Sequence, residues 1–505
     1  MKRYLLCLVL YLSACASGSF SSSTLDASDA EGASDAGQIE ASSDVLDAET
    51  PTDISDAASP PLPDVEVDAP GGGEGGPGDT NTEPASVFEV SAVSTVGERF
   101  ICKMINAERV DSPTANQTHT RFNLRATDLG APAIVDGRLH LFFGDTHGYR
   151  DIWRIGEDPD SVGHVSFEAA KADLSVLCRD LAFYVTPDDP SVAHRSDPAI
   201  QRDFEGGFLA PPPGEPLSNY VTRRLLESEH GAFAGSFEVP SGAITTDSGT
   251  YIFWSGRVRE EVEWEMSRGF VARWNSAGAS PLFYQILYAV DDLIDGRALG
   301  GHFVQNAPVE HDGQLYLFGT GRYRKDGVHL ARKPVTAIEQ PGGFEIYNPQ
   351  SNTWVDPTAL SEPERAALPA IIDESHRGIG ELGVQYVPEA DLFVMMFQQI
   401  KGSNAIHLLV SREPTGPWQR TRVIDMSDPL FLSKHCCSDS GACHGDAIWR
   451  CAEAGLYAPY PLPLIRAEQR GEDTWRLSVP YVVSTWTPYN VVLFEHTVDV
   501  SMTLQ

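Results

Sequence analysis
Residues 133–145 read AIVDGRLHLFFGD: an apolar run, an Asp-Gly pair, one polar residue and a longer apolar run. The same design returns at 307–321 (APVEHDGQLYLFGTG) and, around a slightly longer turn, at 242–256 (GAITTDSGTYIFWSG). LGVQYVPEADLFVMMFQ at 382–398 repeats it, and residues 457–486 form a looser fifth copy. Two β-rich runs about a tight polar turn predict a β-hairpin. Several copies are followed by another strand-like piece, such as GVHLARKP or AIHLLVSREPTGPW. Sheet units recurring with uneven insertions, and no long amphipathic helix, predict an all-β chain folded as a five-bladed β-propeller over residues 91–505. A β-sandwich with accidental hairpin likeness is the competing architecture.

Hydropathy at the N-terminus tells a different story. MKRYLLCLVLYLSAC joins two basic residues to an apolar stretch too short to span a bilayer, the pattern of an export signal. Its end, Leu12-Ser13-Ala14-Cys15, resembles a bacterial lipoprotein box, which implies a lipid anchor at Cys15 and an outer-membrane or cell-surface location. An ordinary signal peptide with a chance cysteine is the alternative. Residues 16–90 are predicted to be a disordered acidic linker. Between 16 and 83 there are sixteen Asp or Glu, no Lys or Arg, and few large apolar side chains to bury. The net charge of −34 owes nearly half to that segment, and nothing in the chain offers the basic footprint that nucleic acid requires. A monomer is expected.

The folded part carries Cys102, Cys178, Cys436, Cys437, Cys443 and Cys451. An even set in an exported chain favours disulfides, with Cys102 and Cys178 pairing to fasten the leading segment. The run HCCSDSGACHGDAIWRC, with His435 and His444, leaves a small zinc site open as the alternative, although its spacing lacks the usual C-x-x-C pairs. No metal ligand set or cofactor motif is otherwise evident.

Chemistry gathers at the first hairpin. With Asp136-Gly137 at the centre of a type I′ turn, Val135 faces Arg138, and outward counting puts Asp128 opposite Asp145. Directly opposed side chains stand about 4.5–5.5 Å apart at Cβ. Two carboxylates so placed repel, and one keeps its proton at higher pH than usual. A protonated and a charged carboxyl side by side are what glycosidic bond cleavage needs. Pro132 cannot donate a ladder bond and so fits an edge strand. Gly130 is the position where a bulge would shift the register. Glu238, Gln305 with Asn306, and Glu381 occupy equivalent places before later hairpins. Turn capping could explain either aspartate, and clustered oxygens also suit a structural calcium ion.

TDLGAPAIVDGRLHLFFGDT, EVPSGAI, FGTGRYRKDGVHLARKP, GELGVQYVPEADLFVMMF, GPW and STWTPYNVVLF occur in this order. Together they resemble a family of exported bacterial five-bladed propellers, long known only as a domain of unknown function, whose characterised members are endo-D-arabinanases. The likeness covers residues 100–505. It implies a polysaccharide substrate, Asp128 and Asp145 as the catalytic pair, and Glu238 and Glu381 as supporting carboxylates. Arg324, Tyr489 and Asn490 match further recurring positions and, with Asn306, are expected to contact substrate. Trp254 and Trp486 could stack on sugar rings, though core packing is the more ordinary use of such aromatics. A non-catalytic propeller that binds glycan or a protein partner is the alternative function.

Overall fold
The computed structural model describes residues 88–105, 116–147, 160–185, 208–210, 237–257, 266–274, 283–293, 297–374, 376–401, 404–429, 455–486 and 489–504. Cys15, the acidic segment and the cysteines from Cys436 to Cys451 lie outside the described residues.

Within them the chain is all-β. After β1 (Phe88–Lys103), the first hairpin gives β2 (Leu129–Val135) and β3 (Arg138–Phe143), extended by β4 (Val162–Ser166) and β5 (Ala182–Phe183). The second sheet runs β6 (Phe208–Ala210), β10 (Phe283–Asp292), β9 (Arg268–Trp274), β8 (Gly249–Arg257) and β7 (Phe237–Thr246). The third is β11 (Gln305–His311), β12 (Gln314–Thr320), β13 (His329–Pro334), β14 (Glu345–Asn348) and β15 (Thr353–Val355). The fourth is β16 (Ile379–Val387), β17 (Leu392–Gln399), β18 (Ala405–Ser411) and β19 (Gln419–Ile424). In the fifth, β20 (Gly455–Pro461) and β21 (Arg466–Gly471) both pair with β22 (Thr474–Trp486), followed by β23 (Asn490–Leu504) and then by β1 on the outer edge. The α-helices among the described residues are short: α1 (Thr118–Phe122), α2 (Phe167–Ala172), α3 (Val176–Arg179) and α4 (Glu362–Ala366). None is long and apolar enough to cross a membrane.

The Asp-Gly pairs form the turns expected of them. Asp136 and Gly137 have φ of 48° and 71°, and Asp312 and Gly313 have 49° and 71°. Two successive left-handed residues make a type I′ turn, whose twist matches the strands it joins. All five sequence hairpins therefore become the first strands of five sheets.

Those first strands meet one another. β2 packs on β7, β7 on β11, β11 on β16, β16 on β20, and β20 returns to β2. Each stands at the edge of its own sheet. Pro132, Pro240, Pro308 and Pro461 lie on four of them, where a missing N–H breaks no ladder. The approach is close: a Cβ on Gly242 would lie 2.4 Å from the carbonyl oxygen of Asn306. A narrow cavity of about 20 Å³ runs between the five, touching Pro132, Gly242, Pro308, Leu382 and Tyr460 in turn. Apolar side chains fill the spaces between neighbouring sheets, for example Tyr251, Phe253, Phe303 and Leu317 between the second and third. Such interdigitation removes enough apolar surface from water to hold sheets that share no hydrogen bonds.

The chain closes on itself at the fifth sheet, where β1 pairs antiparallel with β23. The expected Cys102–Cys178 disulfide is present and ties β1 to α3, beside the first sheet. The leading strand is thereby held to the end of the chain by strand pairing and to the Val176–Arg179 helix by a covalent bond.

Candidate functional site
Asp128 immediately precedes β2, and Asp145 follows β3 by two residues. They are not directly opposed. Ala131 pairs with Phe142 but Leu129 pairs with Phe143, so Gly130, at φ 115°, is an extra residue in the ladder. The bulge moves Asp128 opposite Gly144, whose N–H donates to the Asp128 carbonyl at 3.0 Å, and leaves Asp145 one step beyond. This corrects the register expected from the turn. The slip re-aims the side chains without separating them, as bulges at strand ends do.

A tyrosine joins the two acids. The Tyr489 hydroxyl donates to Asp145 Oδ2 at 3.5 Å and also bonds Asp128. Tyr457 donates to Asp128 Oδ2 at 2.8 Å. Asp128 is buried, and that desolvation pushes its pKa well above the usual carboxylate range; the Asp145 charge adds to the rise, as Asp160 does more weakly, while the two tyrosine bonds oppose it. Burial together with the Asp128 charge likewise raises both tyrosine hydroxyls. Thr146 braces the loop: its hydroxyl lies 2.8 Å from that of Thr127 and 2.9 Å from that of Ser161.

From Tyr457 the polar path continues. The Arg324 guanidinium lies 5.3 Å from the Tyr457 ring centroid and 4.7 Å from that of Tyr323. It donates to Glu381 Oε1 at 2.9 Å, where the Tyr323 hydroxyl also donates at 3.4 Å. Asp145, Tyr489, Asp128, Tyr457, Arg324 and Glu381 thus form one connected chain. Three buried oxygens along it, Asp128 Oδ1, Glu381 Oε2 and the Tyr460 hydroxyl, have no hydrogen-bond partner among the described residues. Buried polar atoms are normally satisfied, so three unpartnered oxygens close together mark this end of the ring as a place for a polar ligand.

Backbone strain gathers here too. Among the described residues, nine that are not glycine have positive φ; six are Asn or Asp, which tolerate it. The other three are Leu129 (61°), beside Asp128; Arg324 itself (58°); and Ala458 (51°), beside Tyr457. Each costs about 1–3 kcal/mol, and such costs persist where surrounding structure enforces a functional geometry. Gly144 has a related role: a Cβ there would lie 2.6 Å from Asp128 Oδ1. Gly144→Ala is expected to destabilise the fold by about 1–3 kcal/mol and to displace the carboxylate. Thermal unfolding measures the first effect and an Asp128-dependent activity the second.

A family model described as Domain of unknown function (DUF4185) matches residues 113–495. The chain belongs to this family. None of the curated proteins matches the sequence. Among solved structures, a proposed hydrolase from Bacteroides ovatus is similar at 13% identity and TM-score 0.47, over 77% of this chain and 89% of that one. The α-L-arabinofuranosidase PaAbf62A from Podospora anserina is similar at 8% and 0.35, over 81% and 97%. The xylan β-1,4-xylosidase from Bacillus halodurans is similar at 10% and 0.33, over 74% and 53%. At such values a similar chain trace says nothing of a shared reaction.

Some expected residues of this DUF4185 chain stand outside the chain of contacts that runs from Asp145 to Glu381. Glu238 heads β7 and is buried, paired in register with Gly256. Asn306 is fully buried, and its amide donates to the Phe303 carbonyl at 2.9 Å. Asn490 donates to the Ile105 carbonyl at 2.7 Å and so pins the leading segment. Both amide side chains are buried, and the Oδ1 of each has no hydrogen-bond partner among the described residues. Trp254 is core, stacked on Phe270. Trp486 is not: it is 40% exposed and stands edge-on to Tyr489 at 5.4 Å. Asp160, Tyr457, Tyr460 and Tyr323 were not singled out by their sequence context. Tyr457 sits in the loosest of the five repeats, and Asp160 follows an insertion with no motif of its own.

Proposed function
We propose that this protein is a glycoside hydrolase built on a five-bladed β-propeller, cutting within arabinofuranosyl, D-arabinan-like polysaccharide while anchored to the bacterial surface through Cys15. The observation that carries the chemistry is the tyrosine-linked pair: a buried Asp128 whose pKa is raised, beside a more accessible Asp145. In this reading Asp128 delivers its proton to the leaving glycosidic oxygen, and the Asp145 carboxylate attacks the anomeric carbon or activates the water that does. Glu381, held by Arg324, and the Tyr460 hydroxyl offer oxygens to sugar hydroxyls. The choice of D-arabinan rests on the family resemblance in the order of motifs, and the lipid anchor on the Leu-Ser-Ala-Cys sequence.

The test is product release from defined plant and mycobacterial glycans by the wild type, Asp128→Asn and Asp145→Asn, with glycan binding followed alongside. Release lost in both variants while binding persists is the expected result. Wild-type binding without release from any furanan would reject catalysis and favour a binding module.

Trp486, exposed beside Tyr489, suits the face of a sugar ring. Trp486→Ala is expected to raise KM roughly tenfold, about 1.4 kcal/mol of lost stacking, with kcat nearly unchanged. Steady-state kinetics on one defined oligosaccharide would check it, and an unchanged KM would remove Trp486 from the site.

A further inference from the structure
A second cluster lies outside the acid path. Donor atoms of His302, Asp326 and His329 all fall within 4.8 Å of one another. His302 is in the segment leading into β11, where the Asp291 carboxylate accepts the N–H groups of Leu299, His302 and Phe303 at 3.0, 2.8 and 3.2 Å. Asp326 comes from the connection between β12 and β13, where its Oδ1 accepts the Gly327 N–H at 2.9 Å, and His329 is the first residue of β13. Space for the carboxylate depends on Gly321, since a Cβ there would lie 2.7 Å from Asp326 Oδ2.

The protonation pattern leaves a gap in charge. His302 Nε2 is 3.2 Å from the Arg365 carbonyl oxygen. A carbonyl only accepts, so Nε2 carries the hydrogen and, in the neutral ring, Nδ1 presents a lone pair. That lone pair faces Asp326 Oδ2 at 3.8 Å, and His329 Nε2 lies 3.9 Å from Oδ1. Both separations exceed ordinary hydrogen-bond lengths, although each imidazole still acts on the Asp326 carboxylate as a favourable partner. A carboxylate facing two imidazole nitrogens across that distance needs positive charge near it, which either a ring proton or a bound cation supplies. Ligand atoms on one tetrahedral zinc-class ion, each about 2.0–2.2 Å from it, stand roughly 3.3–3.5 Å apart; here the separations are 3.8 and 3.9 Å and all three atoms lie within 4.8 Å, so the side chains draw together by several tenths of an ångström or more on loading. The histidines are buried, while Asp326 is one-quarter exposed and leaves a side open to water. Asp373 adds a further negative charge facing His329.

We propose that His302 Nδ1, Asp326 and His329 form a binding site for one divalent cation of the zinc class, with water completing the coordination. The two imidazoles lie face to face, 3.7 Å between centroids and 14° apart. Ligation by both tilts them apart about their Cβ–Cγ bonds, a movement within the side chains. Segment 321–329 also carries Arg324, two residues before Asp326, so the ion holds in place the residue that grips Glu381. The role is structural and does not depend on what the acid pair cleaves.

The full chain, stripped with chelator, is titrated with Co²⁺ and followed by its visible ligand-field band, with metal content measured in parallel. Because Cys436, Cys437, Cys443, Cys451, His435 and His444 could also take metal, a C436S/C437S variant is the control. One equivalent bound by wild type and control, and lost in H302Q/H329Q, is the expected result. No uptake by the wild type, or uptake unchanged in H302Q/H329Q, overturns the site. Should that variant fail to fold, X-ray absorption of the zinc-loaded wild type decides: nitrogen and oxygen ligands support the site, and sulfur ligands overturn it. Asp326→Asn is expected to weaken Co²⁺ binding at least tenfold, and unchanged affinity counts against the proposal.

Discussion

Asp128→Asn is expected to lower glycan cleavage by roughly 10³-fold, within the span of about 10²–10⁴ typical for a lost general acid, and to raise the unfolding temperature at the same time. The two effects share one cause. Burial raises the Asp128 pKa in the folded chain, with the Asp145 charge adding to it. Between the ordinary carboxylate range and that raised value, the folded state binds more protons than the unfolded state. Stability therefore falls as pH rises through this window. Asparagine does not titrate, so its advantage should be small at pH 4 and grow toward pH 8. It can still meet the Tyr457 hydroxyl, now as donor or acceptor. Thermal scans of both proteins across that range provide the check. A variant no more stable than wild type at any pH would mean that the Asp128 carboxyl carries no electrostatic burden, and its role as a poised acid would fail with it.

Breaking the Cys102–Cys178 bond should have the largest effect on stability. The bridge spans a sequence separation of 76 residues, and the chain-entropy relation for a loop of that size gives about 4–5 kcal/mol. It also fastens β1, the strand that completes the fifth sheet, to α3 beside the first. Reduction, or Cys102→Ser with Cys178→Ser, is expected to lower the melting temperature by several degrees. Protease cleavage should appear first near residues 88–103, because β1 is an outer edge strand. An unmoved midpoint after complete reduction would show that strand pairing alone seals the ring. The acid pair should keep its activity below the new midpoint, since neither cysteine touches it.

The hairpins could be read from the chain because their information is local. Asp136-Gly137 and Asp312-Gly313 adopt left-handed conformations that Asp and Gly tolerate, and the flanking alternation then sets every pair near the turn. The count fails only where a residue is added to one strand. In β2 that happens at Gly130, in β7 between Pro240 and Gly242, in β16 between Ile379 and Leu382, and in β20 between Tyr457 and Tyr460. β11 has no such shift, and its Asn306 amide donates to the nearby Phe303 carbonyl. Four of the five inner strands are therefore bulged, three of them close to Asp128, Glu381 or Tyr457, and side-chain direction there follows the bulge, not simple alternation.

Sequence alone determined the repeated β-hairpins, the edge position of Pro132, the Cys102–Cys178 pair and the choice of Asp128 and Asp145 as the acids to watch. Each depends on residue type and short-range spacing, which turn geometry and strand alternation translate directly. Tertiary structure decided that Tyr489 links the two acids, that Tyr457 and Arg324 extend the path to Glu381, and that His302 meets Asp326 and His329. Those contacts join strands up to 344 residues apart in the chain. Their geometry is set by how far each strand bulges and how closely the inner strands approach, quantities that arise only when all five sheets pack together.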